Sequence, residues 1–342
     1  MRAKPGKSIP KSGRGELALI DRIRRRAARA GALGLSLGIG DDCAILRLKP
    51  GEELVVTTDL SIAGRHFGLE WHPPVSVGHR ALARGLSDIA AMGARPVAAF
   101  LSLGLPRDLA LAQGRRTAWV DDFLDGFLAL ADKYQTPLAG GDLAESPLAV
   151  ADIVLLGAVP RAKALLRSGA RPGDLLYVTG TLGGAATGLE QLRKLSGRLT
   201  RPTAHPSTKD DLLAPHLWPQ PRIAQGLWLR RRQAATAAID LSDGLSTDLH
   251  HLCEESGVSA EIDASALPIH TAATLEQALH GGEDYELLFT VRPDTAIPKN
   301  IAGVRLTRIG RIGKKRSGQH AVMLVDRTGR HPLAAGGWQH FF

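Results

Sequence analysis

Residues Leu37–Phe67 read LGIGDDCAILRLKPGEELVVTTDLSIAGRHF. Cys43–Lys49 alternates apolar and polar residues, and Glu53–Thr58 is rich in β-branched ones, so both predict strands. Pro50-Gly51 between them predicts a turn, and the simplest pairing is an antiparallel hairpin. That hairpin would set Asp42, at the start of the first strand, beside Asp59, at the end of the second. The hydroxyls of Thr57 and Thr58 would lie close by. Carboxylates gathered in this way repel one another unless a cation sits among them. Hard oxygen donors suit Mg²⁺, above all where phosphates share the ion. Taken alone, Asp41-Asp42 reads better as the cap of a turn, because Asp is a common turn residue.

The chain has 342 residues, enough for two domains, and is 44% hydrophobic and 23% charged, an ordinary globular balance. No apolar run approaches the roughly 20 residues that span a bilayer. The opening MRAKPGKSIPKSGRGE is basic, with no apolar stretch after it, and reads as a flexible tail over residues 1–15. Two cysteines, Cys43 and Cys253, form neither a disulfide framework nor a zinc spacing. A cytoplasmic protein is expected. The net charge of +9 raises the question of nucleic acid, but the basic residues are spread along the chain and aromatics make up only 4%. Attraction of small anions is the better use of that charge.

Helices alternate with strands in both halves, which predicts an α/β (α+β) fold. GELALIDRIRRRAARAG and PVSVGHRALARGLSDIAAMGA are amphipathic helices, the second with Leu82, Leu86 and Ile89 at core spacing and Asp88 off that stripe. A long helix is expected from Leu109 to Tyr134, then a short strand ending in a turn at Gly140-Gly141-Asp142. The basic, Gly- and Pro-punctuated stretch after Pro160 marks a boundary between residues 16–160 and 161–342. In the second half, TAAID is a strand ending at Asp240, and Ser242-Asp243 introduces a helix, with Asp243 as its candidate cap. GTLGGAATG could cradle phosphate at a helix N-terminus, although it lacks Walker A spacing.

Aspartates thus recur where strands end or helices begin, among glycine-rich turns and without an evident nucleophile–base pair. This pattern suits metal-assisted phosphoryl transfer.

Seven motifs, GIGDDCA, TTDLSIAGRHF, LSDIAAMGA, GGD, RSGARPGD, IDLSDGL and GGEDYEL, occur in the order and spacing of the bacterial thiamine-monophosphate kinases, which the chain resembles from about Gly38 onward. That family belongs to the aminoimidazole-ribonucleotide-synthetase-like superfamily. The resemblance implies two mixed-sheet domains with the active site in the cleft between them, and a homodimer paired through the N-terminal sheets. It implies ATP and thiamine monophosphate as substrates, with several Mg²⁺ ions. It places Asp42, Thr57, Thr58, Asp59, Asp88, Asp142, Asp240 and Asp243 around the metal. Gly141, Asp142, Arg167 and Ser242 would contact ATP; His66, Glu283 and Trp338 would contact the thiamine monophosphate. No residue is expected to act as acid, base or nucleophile, because a phosphate monoester is already largely ionised at neutral pH. Leu143 departs from the pattern, standing where a hydroxyl residue is expected after Gly-Gly-Asp. A sister ATP-dependent enzyme of the same fold, or a non-catalytic nucleotide- or nucleic-acid-binding protein, is the alternative.

Overall fold

The computed structural model describes residues 16–27, 34–111, 118–195, 212–318 and 320–339. The tail expected over residues 1–15 lies outside them. The first half runs α1 (Glu16–Ala27), β1 (Leu35–Leu37), β2 (Ile45–Leu46), β3 (Glu52–Ile62), α2 (Pro74–Ala91), β4 (Arg95–Leu105), α3 (Arg107–Ala110), α4 (Trp119–Lys133), β5 (Leu138–Glu145) and β6 (Val150–Pro160). The second half runs β7 (Leu175–Thr179), α5 (Gly184–Leu195), α6 (Ala214–Leu217), α7 (Ile223–Arg231), β8 (Ala235–Asp240), α8 (Leu245–Ser256), β9 (Val258–Asp263), α9 (Leu275–His280) and β10 (Leu287–Val291), then β11 (Asn300–Ile301), β12 (Val304–Lys314), β13 (Val322–Asp326) and β14 (Gly329–Pro332).

The expected hairpin does not form. β2 pairs with β1, whereas β3 pairs antiparallel with β6 along its whole length, from Glu52 opposite Pro160 to Ile62 opposite Val150. The Pro50-Gly51 turn is present, with the Glu52 N–H donating to the Lys49 carbonyl at 3.1 Å. The strands diverge after it because the long, apolar β6 offers β3 a far longer ladder than β2 can. Asp42 and Asp59 are therefore not brought together by a shared hairpin. The expected long helix is also two: α3 ends at Ala110 and α4 starts at Trp119.

The N-terminal sheet has the order β3-β6-β4-β5, parallel only between β4 and β5. The second sheet follows β14-β13-β9-β12-β7-β10-β8, with β11 beside β12. Both are mixed sheets with helices, as the sequence predicts.

α2 explains how the halves join. It contacts β3 and β6 of one sheet and β8 of the other, and α7 packs along it. A helix covered on all sides cannot keep a polar face to water, so Arg80 and Ser87 are buried along with its apolar residues. Its crossing with α4 is a backbone contact: a Cβ on Gly78 would sit 1.8 Å from the Phe123 carbonyl oxygen, and one on Gly126 would sit 1.7 Å from that of Val75. Leu287 and Phe289 of β10 share the same apolar cluster as Leu82, Leu86 and Ile153. One core thus crosses the sequence boundary at Pro160.

Candidate active site

Side chains at Arg80, Arg84 and Asp88 follow one another at intervals of four, so they form one stripe along α2. Arg84 and Asp88 of that stripe line a cavity of about 700 Å³ formed from both halves of the chain. Asp59 reaches it from β3, Asp240 from the end of β8, and Ser242 and Asp243 from the loop before α8. His66, Glu283 and Trp338 line it opposite. Eight of the expected site residues therefore meet in one place.

The carboxylates there are electrostatically strained. Burial pushes Asp59 up to about 6, with Asp88 adding to the rise and the Arg84 guanidinium, 3.2 Å away, opposing it. Asp88 is raised by burial and accepts a hydrogen bond from the Thr57 hydroxyl. Asp240 is 4% exposed; burial and then the Asp88 charge raise it, while the Ser87 hydroxyl donates to it at 2.7 Å. Asp248 beneath them is pushed up to about 8 by burial and by Asp240 and Asp243. Its carboxylate accepts the Asp243 and Gly244 N–H groups, both at 3.1 Å, and so shapes the loop. Asp243 is not the helix cap: α8 starts after Gly244 with no side-chain cap.

Among the described residues no three His, Cys, Asp or Glu side chains are close enough to share one ion as they stand. Arg84, Ser87 and Thr57 each hold a carboxylate instead. The donor chemistry nevertheless fits a hard divalent cation: four aspartates line one cavity, and mutual repulsion raises the affinity of such a group for positive charge.

Four expected residues stand elsewhere. In β3, Thr57 and Asp59 face α2, so by strand alternation Thr58 points to the other face, where it is exposed. Asp42, Gly141 and Asp142 line a second concavity of about 720 Å³ with Leu138 and Phe100. Asp142 and Leu60 lie in one row across the sheet, through Ser102 and Asp152. Three strand spacings of about 4.8 Å separate them, roughly 14 Å. Gly140-Gly141-Asp142 is strand and not turn. Gly141 (φ 149°) is required by its neighbour, since a Cβ there would meet the Leu101 carbonyl oxygen at 1.8 Å. Arg167 is exposed, and its charge lowers both Asp88 and Asp240.

Glycines at the start of α5 cradle an anion, but it is the protein's own. Asp284 accepts from the N–H groups of Gly183 (2.7 Å) and Ala185 (3.2 Å), which closes that helix N-terminus to an outside phosphate. Arg84, Trp71, His72 and His216, which sequence reasoning did not single out, also line the first cavity. The four-residue spacing from Arg84 to Asp88 was the available signal. Trp338 is tethered through its backbone N–H to the Asp243 carbonyl (3.0 Å), and the Arg65 guanidinium lies 5.9 Å from its ring.

The AIR synthase related protein N-terminal domain family matches residues 40–159, and the corresponding C-terminal domain family matches residues 171–324. The thiamine-monophosphate kinase of Escherichia coli (strain K12) is 44% identical over 285 residues, covering 81% of this chain and 82% of its own. The chain belongs to the thiamine-monophosphate kinase family. Structural likeness agrees. The crystal structure of thiamine-monophosphate kinase from Stenotrophomonas maltophilia K279a superposes with a TM-score of 0.75 at 39% identity, covering 90% of this chain and 95% of that one. AaThiL, complexed with AMPPCP and TMP, gives a TM-score of 0.73 at 29% identity, covering 98% and 100%. The seven motifs had pointed to this family.

Proposed function

We propose that the chain transfers the γ-phosphoryl group of ATP to thiamine monophosphate, giving thiamine diphosphate and ADP. The observation that carries the reading is the first cavity, where Asp59, Asp88, Asp240 and Asp243 face His66, Glu283 and Trp338. Its family relatives carry the kinase name, and AaThiL has been solved with AMPPCP and TMP. Asp59, Asp88, Asp240 and Asp243 would hold Mg²⁺, which when bound offsets the charge of two polyanions and aligns them. The acceptor phosphate is already anionic, so the side chains need only hold, orient and exclude water. Arg167 and Ser242 stand at the aspartate end, for the ATP phosphates. Asp42, Thr58, Gly141 and Asp142 have no part in this cavity as the chain stands. The test is incubation of the purified protein with ATP, Mg²⁺ and thiamine monophosphate, followed by chromatography. Thiamine diphosphate should accumulate in step with ADP; ADP without it would remove the kinase assignment.

A homodimer belongs to the same proposal. The outer face of β3 exposes Leu54, Val56 and Leu60 at 48%, 55% and 46%, an apolar row that a second sheet would cover. Val56→Arg should convert a dimer to monomer in sedimentation equilibrium. A parent chain that sediments as a monomer at micromolar concentration would exclude this interface. Among the described residues no helix is long and apolar enough to cross a membrane. Both cysteines are free thiols, in keeping with a reaction in the reducing cytoplasm.

A further inference from the structure

Arg80 precedes Arg84 by one helical turn on α2. It is 5% exposed and is not among the described residues that line the first cavity. A guanidinium so buried must find its partners inside the protein. It finds them on two separate stretches of chain. Nη2 donates to Oε1 of Glu283 at 2.5 Å, and Nη1 donates to the His66 carbonyl at 3.2 Å and to Nε2 of His72 at 3.0 Å. Burial, and then the Arg80 charge, push His72 down to about 3, so its ring stays neutral and able to accept. His66, His72 and Glu283 all line the cavity. One buried cation therefore touches both walls of its substrate end.

At Glu283 this hold has a consequence. Its backbone is left-handed (φ 57°), unusual for a residue with a side chain, and its N–H donates to the Ser242 carbonyl at 2.8 Å. On that fixed backbone the carboxylate turns only about its own side-chain bonds, and two arginines compete for it. Arg84 feels the Glu283 charge as well, but its ion pair is with Asp59 at 3.2 Å, and Arg80 takes Glu283. Oε2 of Glu283 lies 3.5 Å from Nδ1 of His216 and makes no hydrogen bond among the described residues. We propose that Arg80 is a positioning residue: by holding Oε1 it keeps Glu283 away from Arg84 and leaves Oε2 as the acceptor offered to thiamine monophosphate. The proposal rests on the assignment of Glu283 to that substrate. α2 carries the donor on a backbone seated against α4, so the point from which Glu283 is held is itself fixed.

The experiment measures the KM for thiamine monophosphate and for ATP in Arg80→Met, Arg80→Lys, Glu283→Gln and the double variant Arg80→Met with Glu283→Gln. Met keeps much of the stem and removes the donors. Arg80→Met should raise the KM for thiamine monophosphate about tenfold or more, the scale of one lost hydrogen bond to a charged group, with little change for ATP. Glu283→Gln should do likewise. Arg80→Lys keeps a cation beside Glu283 and should restore most of the loss. Because Arg80 acts through Glu283, the double variant should be little worse than Glu283→Gln alone. Additive losses, or equal rises for both substrates, would overturn the positioning role and leave Glu283 at the substrate. A KM unchanged by Glu283→Gln would remove Glu283 from that end and the proposal with it, whereas a parent chain that forms no thiamine diphosphate would fail the kinase reading itself. Should Arg80→Met not fold, the double variant, which strands no buried charge, decides against Glu283→Gln. Equal KM values are expected, and a further rise of about tenfold would sink the proposal.

Discussion

Asp240→Asn is expected to melt no lower than the parent and to turn over at least about a hundred times more slowly, the scale of losing one strong electrostatic contributor in a site. Asn keeps the shape and still accepts from the Ser87 hydroxyl. It removes a buried charge that Asp88 repels. The sign of the pH dependence follows. A carboxyl raised by folding binds its proton more tightly in the native state, so stability falls as pH rises above the ordinary aspartate value of 3.8. The melting temperature of Asp240→Asn relative to the parent should therefore increase from pH 5 to pH 8. Scanning calorimetry without Mg²⁺, beside turnover across a Mg²⁺ titration, checks both halves. A destabilised but fully active variant would show that Asp240 serves the fold and not the chemistry.

Glu286→Ala is expected to cost about 3–5 kcal/mol of stability, because removing one member of a buried ion pair strands the other. Glu286 is 3% exposed and accepts from both arms of the Arg222 guanidinium and from the Thr179 hydroxyl. The pair fastens the N-terminal end of α7 to β7 and β10. Replacing both partners, as Arg222→Leu with Glu286→Leu, should recover most of the loss, since no charge is then left uncompensated. Urea titration of the three variants measures this. A loss below about 1 kcal/mol for Glu286→Ala would place the pair on the wet surface class.

Much of the fold was legible in the sequence because apolar periodicity is local. α1, α2 and β8 each stand where their own residues predict. Pairing was not legible. Cys43–Lys49 and Glu53–Thr58 look like hairpin partners across Pro50-Gly51, yet which strand β3 joins depends on β6, some hundred residues later. The same limit governs the site. Asp59, Asp88, Asp240 and Asp243, which line one cavity, could be singled out as a group from the motifs around them. Asp142 could not be separated from them, because its distance is set by sheet order. Nor could Asp284 be recognised as the anion that fills the α5 N-terminus, although it lies within a quoted motif. His72 and His216 carry no motif and become visible only once α2 and α6 are packed together.

The backbone contact of Gly78 and Gly126 has a mechanical meaning. With α2 seated against α4 at zero side-chain thickness and gripped by a sheet on either side, the helix is a fixed axle. Arg84 and Asp88 ride on it, so their backbone cannot shift toward a bound molecule. Any accommodation is left to the rim: the segment of residues 63–73 and the segment after β14 that carries Trp338, which meet where Arg65 lies over the indole. The aspartate end of the cavity is thus the anvil, and the rim carrying His66 and Trp338 is the jaw set against it.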